Sequence, residues 1–123
     1  MNHQIMAGGE MTGTEVLTVY LDLHNKTRLS IQGVWTGDPE GTFVFKGSNH
    51  PRAVQGGSSS PLVSPEATWS TLDVPDEWSA KDPAGDDGDA LWEFGDLGCA
   101  FLLIEYTNTG GDGSLDLFEN AKT

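Results

Sequence analysis

Apolar residues recur at every second position along most of this chain, and this spacing constrains the fold more than any other feature. Between Leu17 and Leu23, four apolar residues alternate with Thr18, Tyr20 and Asp22. Successive side chains of a β-strand point to opposite faces, so this alternation predicts a strand with one buried face. No segment repeats apolar residues at helical spacing for more than a turn or two. The chain is therefore predicted to be all-β.

Similar alternation, bounded by turn residues, predicts six further strands. They lie at about 29–35, 42–46, 67–74, 91–94, 100–107 and 114–119. Glycine-containing loops over 36–41 and 108–113 predict hairpins, and longer polar stretches over 47–61 and 75–89 predict exposed loops. Seven to eight short antiparallel strands favour a single two-sheet sandwich or jelly roll.

The length of 123 residues fits one domain. Residues 1–13 lack alternation and contain three glycines, which predicts a flexible N-terminal arm before a sandwich domain over 14–123. Such an arm either stays idle or orders on a neighbouring subunit. The first residues have no basic region followed by an apolar stretch, so they do not predict a secretory signal.

Net charge disfavours two classes of partner. The chain has 19 acidic and six basic side chains, a formal charge of -13. This surplus opposes the positive field that nucleic acid or an anionic membrane requires, and no apolar run approaches the ~18 residues that cross a bilayer. The charge is explained equally well by a salt-rich environment that screens it and by simple solubility.

Patterns typical of enzymes are missing from the sequence. The single cysteine, Cys99, lies in an apolar run and is predicted to be a small core residue. His3, His24 and His50 are scattered without zinc-binding spacing, and neither a nucleophile elbow nor a phosphate loop occurs. The chain is predicted to be non-enzymatic.

One loop is a candidate calcium site. Asp82, Asp86, Asp87 and Asp89 lie close together among glycines, and calcium prefers several carboxylate oxygens on a backbone that is free to wrap. Their spacing does not match the EF-hand pattern, and a solvated acidic loop is the alternative. No other cofactor is predicted.

Three apolar residues are candidate contact residues. Trp78 lies in a polar loop, where an exposed indole ring offers a stacking surface to a sugar. Phe101 and Leu103 belong to a strand that is apolar on both faces. Either that strand is central and buried on both sides, or one face meets another subunit.

Several short motifs resemble small virion proteins of tailed bacteriophages and related prokaryotic viruses. They are Leu29–Gly37, Gly41–Asn49, Trp69–Leu72, Leu103–Thr107, Gly110–Leu115 and the terminal Lys122. Phe45–Asn49 together with Trp69–Leu72 is also similar to discoidin-like jelly rolls. The chain departs from the phage pattern in a long insertion over 51–65 and in the loop over 82–89. The resemblance implies a β-sandwich on a virus particle and supplies no catalytic residues.

From this resemblance we expect a structural virion protein, most specifically a capsid decoration (cement) protein. It would be made in the host cytoplasm, bind the major capsid protein on the capsid surface as a homo-oligomer, and stabilise the shell. The expected contacts are Ile5 and Met6 of the arm with Phe101 and Leu103 of the apolar strand. The alternative is a carbohydrate- or receptor-binding module of a fibre or tail that uses Trp78 and the acidic loop, assisted by calcium.

Overall fold

The structure is a computed structural model that describes residues 2–23, 26–49, 54–55, 62–63, 68–95 and 99–122. Within these residues the chain forms strands and one short 3-10 helix. The strands are β1 (Asn2–Thr12), β2 (Val16–Asp22), β3 (Arg28–Gly37), β4 (Glu40–Ser48), β5 (Val54–Gln55), β6 (Leu62–Val63), β7 (Ser70–Thr71), β8 (Gly88–Phe94), β9 (Phe101–Gly110) and β10 (Asp112–Lys122), and the helix spans Asp76–Lys81. The all-β prediction is confirmed. His24, His50 and most of the predicted loop over 47–61 lie outside the described residues.

Two four-stranded antiparallel sheets form the sandwich. Sheet I has the order β1-β10-β3-β8 and sheet II the order β2-β9-β4-β7. The pairs β1 with β10, β2 with β9, β3 with β8 and β4 with β7 are nested, so the chain resembles one long hairpin rolled onto itself. This is the arrangement of a jelly roll. β5 and β6 form a separate two-stranded ribbon, and β5 lies close to β2.

The two predicted hairpins are wrong, because both loops carry the chain from one sheet to the other. β3 and β10 belong to sheet I, whereas β4 and β9 belong to sheet II. The two loops bind each other: Asp38 N–H donates to the Asp112 carbonyl, and Asp112 N–H donates to Asp38 Oδ1, each at 2.9 Å. Gly37 and Gly111 have φ of 94° and 65°, and a Cβ on either would collide with the other loop's backbone.

The structure corrects the prediction of an N-terminal arm. Asn2–Thr12 is the edge strand β1, which pairs along β10 from Asn120 to Asp112 with two register shifts. Met11 is fully buried in the core. The register shifts and the glycines interrupt the alternation of β1, so the sequence pattern does not reveal the strand.

Aromatic rings dominate the core between the sheets. The Phe43 ring centroid lies 4.7 Å from that of Trp92 and 4.8 Å from that of Tyr106. Phe45 packs against Trp92 and Phe94 at 5.3 and 5.2 Å. Because β4 and β9 come from sheet II and β8 from sheet I, these contacts hold the two layers face to face.

A buried amide closes the end of the sandwich where the sheet-crossing loops meet. Asn108 Nδ2 donates to the carbonyls of Gly13 and Gly111, at 3.1 and 3.2 Å, and the Tyr106 hydroxyl donates to Asn108 Oδ1 at 2.8 Å. Burial, with a smaller effect from the Asp82 carboxylate, raises the pKa of Tyr106 to about 12. The hydroxyl therefore stays protonated and remains a donor to Asn108.

Candidate functional site

The outer face of sheet II is covered where β9 begins. Strand β9 lies between β2 and β4, with Leu102 and Ile104 directed into the core. Phe101 and Leu103 point to the other side of the sheet, yet they are only 2% and 6% exposed. The Phe101 side chain packs against Trp69, Tyr20 and Ala100. The sequence left open whether this strand is central or meets another subunit. In the structure it is central, and its residues from Phe101 to Ile104 are buried on both faces.

By contrast, the outer face of sheet I is open. Leu91 of β8 is 47% exposed there, and Val34 and Phe118 are partly exposed. These side chains alternate with core residues along their strands, and Gln32 is paired with both Phe118 and Leu91, so the three form a row across the sheet. We call Ser30, Gln32, Val34, Leu91 and Phe118 the open face.

Charges border this surface. A shallow depression of about 250 Å³ is lined by Ser30, Gln32, Leu91, Phe118, Glu119 and Asn120. Burial raises the pKa of the Glu119 carboxyl, an effect that His3 and Lys26 partly oppose. Asp89 and Asp116, both paired with Val34, add carboxylates along the next row. The open face therefore combines three apolar side chains with Gln32 and Ser30, and carboxylates border it.

A larger cleft lies at the β4 edge of sheet II. β7 pairs with β4 only at Lys46 and Gly47, after which the chain leaves the edge and runs through the 3-10 helix before it returns at Asp82. The space left has a volume of about 390 Å³. This β4 cleft is lined by Thr42, Phe43, Val44, Phe45, Thr71, Leu72, Val74, Pro75, Asp76, Trp78, Ser79, Asp82 and Trp92.

Trp78 forms one wall of the β4 cleft, and it is less exposed than its polar sequence context predicts. Its ring packs edge-on against Phe45 and Phe94, with centroids 5.5 and 5.0 Å apart. Lys81 Nζ lies 5.9 Å from the Trp78 ring centroid and donates to the Leu91 carbonyl at 2.7 Å. The indole is thus fixed on the core and borders a cavity, rather than projecting freely into solvent.

The four carboxylates of the acidic loop differ in their burial. Asp82 Oδ1 accepts a hydrogen bond from Phe43 N–H at 3.1 Å, and burial raises the pKa of the Asp82 carboxyl while that bond lowers it. The side chains of Asp86, Asp87 and Asp89 are exposed. Among the residues that the structure describes, no three His, Cys, Asp or Glu side chains lie close enough to hold a metal ion. Calcium binding by this acidic loop stays a prediction.

The predicted contact residues do not form one surface. Ile5 and Met6 are partly buried in β1 and pack against the core of their own chain. Phe101 and Leu103 are buried in β9, and Trp78 borders the β4 cleft. None of these positions belongs to the open face.

Sequence reasoning missed the residues of the open face, although a signal for them exists. Leu91 and Phe118 are apolar at positions out of phase with the buried residues of their strands. A half-buried strand has polar residues at such positions, so an apolar exception marks a candidate contact surface. Asp76, at the rim of the β4 cleft, carries no comparable signal in the sequence.

The comparisons with known proteins leave the family open. No family model matches the chain, and no curated protein matches it. A solved structure similar to it is dimeric latent PorU from Porphyromonas gingivalis, at 12% sequence identity and a TM-score of 0.45, over 94% of this chain and 10% of the PorU chain. The chain thus spans about a tenth of PorU's length. Over the described residues, no helix is long and apolar enough to cross a bilayer.

Proposed function

We propose that this chain is a non-enzymatic virion protein that binds the capsid surface through its open face and stabilises the shell. In this proposal the partner is the major capsid protein, and the chain is made in the host cytoplasm before it joins the particle. The resemblance to small virion proteins suggests the class of function. The site is suggested by the open face itself.

The observation that carries the proposal is the difference between the two outer faces. Where β9 begins, sheet II has its apolar outer residues covered, with Leu103 only 6% exposed, and Val16 of β2 is a single exposed apolar residue at 49%. Sheet I leaves Leu91 47% exposed on the same face as the partly exposed Val34 and Phe118. Exposed apolar residues scattered singly are ordinary on protein surfaces, but three of them on one face of one sheet favour a protein partner. A rigid sandwich presents them without reorganisation, which lowers the cost of binding.

Charge restricts the partner surface. The carboxylates of Asp89, Glu93 and Asp116 lie on or beside the open face, and the whole chain carries -13. A matching surface on the shell is expected to combine apolar side chains with basic ones. Copies that repel one another in solution would then be held side by side by the shell, which agrees with a symmetric arrangement on the particle.

Sedimentation with bare shells tests the proposal. Shells assembled from the major capsid protein of the virus that carries the chain in this proposal are mixed with the chain, and the bound fraction and the shell's melting temperature are measured. We expect saturable binding and a higher melting temperature. Leu91→Asp should weaken binding at least tenfold, because it puts a carboxylate at the centre of a desolvated contact.

Val16→Asp is the matched control, since Val16 is 49% exposed but lies on β2 of sheet II. It should bind like the unchanged chain. No binding to bare shells would overturn the proposed function. Equal loss in both variants would overturn the assignment of the open face.

A second candidate function is a carbohydrate- or receptor-binding module of a fibre or tail. It is favoured by the position of Trp78, which borders both the β4 cleft and a second depression next to Lys81 and Leu91. Glycan-array binding that is lost in Trp78→Phe would support it. Absence of glycan binding by the unchanged chain, with and without calcium, would remove this candidate.

A further inference from the structure

The β4 cleft lies where the edge of β4 has no neighbouring strand, and the short length of this free edge limits which ligands can bind there. On this edge of β4, Phe45 O accepts from Leu72 N–H at 2.8 Å at one end, and Phe43 N–H donates to Asp82 Oδ1 at the other. Only the stretch from Phe43 to Phe45 lies between these bonds. An added strand needs a longer free edge for its ladder, so the cleft fits a side chain or a small molecule rather than a strand.

Aromatic and aliphatic groups form the inner surface of the cleft. Phe43, Phe45 and Trp92 belong to the core beneath it, and Trp78 with Leu72 forms a side wall. Aromatic faces carry negative quadrupole potential, which attracts a cation and also stacks on an apolar body. The inner surface therefore favours a ligand that is largely apolar.

Polar groups at the cleft are acidic, and they select the charge of that ligand. Asp76 and Asp82 are the ionisable residues among those that line the cleft, and no lining residue is basic. The nearest lysine in sequence, Lys81, is absent from that lining and donates to the Leu91 carbonyl instead. The partly buried carboxylate of Asp82, with the exposed carboxylate of Asp76 at the rim, attracts a positive group and repels an anion.

We propose that the β4 cleft binds an organic cation, an ammonium or guanidinium group carried on an apolar body. The body lies against Phe43, Phe45 and Trp78, and the charged group meets the carboxylate of Asp82, with Asp76 at the rim. This site is separate from the open face and does not depend on the proposed function. Its cation is either a free small molecule or a basic side chain of a partner protein.

A series of ligands that differ only in the head group tests the charge requirement. The probes are 4-phenylbutylamine, 4-phenylbutanol and 4-phenylbutanoate, with binding measured by calorimetry and by tryptophan fluorescence. We expect the amine to bind at least tenfold more tightly than the alcohol, and the carboxylate to bind most weakly. A blocked Phe-Arg dipeptide amide represents the basic side chain of a partner protein. If it binds more tightly than the amine, the ligand is such a side chain, and if the amine binds more tightly, the ligand is a free small molecule. Equal binding of amine and alcohol, or no binding of either cation, overturns the proposal.

Variants of the carboxylates locate the site. Asp82→Asn keeps an oxygen that accepts from Phe43 N–H but removes the charge, so it should weaken amine binding about tenfold and leave alcohol binding unchanged. Asp76→Asn should act in the same direction and serves if Asp82→Asn fails to fold. Asp87→Asn, in the exposed loop outside the cleft, is the matched control and should bind like the unchanged chain. Unaltered amine binding in both cleft variants overturns the site.

Discussion

The outer face of sheet II carries Phe101 and Leu103, which are 2% and 6% exposed, whereas the outer face of sheet I carries Leu91, which is 47% exposed. Both faces contain apolar residues at outward positions of their strands, so the residue pattern alone does not separate them. The difference lies in what packs on each face. Trp69 and Tyr20 pack on Phe101, and the β5 strand lies close to β2. Phe101 and Leu103 therefore contribute to folding, whereas Leu91 is available for contact.

The largest expected effect comes from the covered face. Phe101→Ala removes a buried aromatic side chain and should lower the free energy of unfolding by about 3 kcal/mol. Phe118→Ala, on the open face, is the comparison and should cost less than about 1 kcal/mol, because its ring is only partly buried. Urea unfolding of both variants measures the difference. Equal costs would break the distinction between the faces.

Removal of the cover should have an intermediate effect. Trp69 is partly buried, and its ring centroid lies 5.7 Å from that of Tyr20. Trp69→Ala should lower the free energy of unfolding by about 2 kcal/mol, since it strips apolar area and an aromatic contact from this face. The variant should also bind a hydrophobic dye that the unchanged chain does not bind. A cost below about 0.5 kcal/mol would show that something other than Trp69 protects Phe101.

Two partly buried carboxyls, those of Glu119 and Asp82, should make the stability of the fold depend on pH. Burial raises the pKa of the carboxyls of Glu119 and Asp82. A carboxyl with a higher pKa in the folded state binds its proton more tightly there, so its contribution is complete below the unfolded pKa and is lost as pH rises through the folded pKa. The melting temperature should therefore rise as pH falls from about 7 to about 5.

Relief of the repulsion among 13 net negative charges acts in the same direction, and salt separates the two effects. At about 0.5 M NaCl the repulsion is largely screened, while the cost of burying the two carboxylates remains. Under these conditions the paired variant Glu119→Gln with Asp82→Asn should have a flatter pH profile than the unchanged chain. A melting temperature that falls between pH 7 and 5 would contradict the assigned direction.

The smallest expected effect is on Val16 and Leu91, the most exposed large apolar side chains among the residues that the structure describes. Leu91→Thr and Val16→Thr should each change the free energy of unfolding by less than about 0.5 kcal/mol, because both side chains are about half exposed. Thermal scans should therefore barely separate the two variants from the unchanged chain. A loss above about 1 kcal/mol for Leu91→Thr would mean that the open face contributes to folding.

Much of this architecture follows from the sequence, because alternation reports which residues of a strand are buried. It identified the strands now seen as β2, β3, β4, β8, β9 and β10. Alternation does not report which strand is the neighbour, so the loops around Asp38 and Asp112 resembled hairpins although they join the two sheets. The sequence did not predict β1, because register shifts in its pairing with β10 interrupt the alternation of apolar residues.

The candidate sites were harder to predict than the strands. Phe101 and Leu103 are apolar on the outer side of their strand, which is equally consistent with a subunit contact and with a cover from the same chain. The β4 cleft depends on where β7 ends and on where Asp82 returns to β4, and both are consequences of tertiary packing. The polar residues next to Trp78 in the sequence predict an exposed ring. They carry no information about the packing of that ring on Phe45.

Hydroxyl-radical footprinting read by mass spectrometry tests the central claim most directly, because it measures the solvent access of individual side chains on both faces. In the free chain, Leu91 and Phe118 should be oxidised while Phe101 and Leu103 stay unmodified, and on the shell-bound chain Leu91 and Phe118 should become protected. Ready oxidation of Phe101 and Leu103 in the free chain, or unchanged oxidation of Leu91 on the shell, would contradict the account.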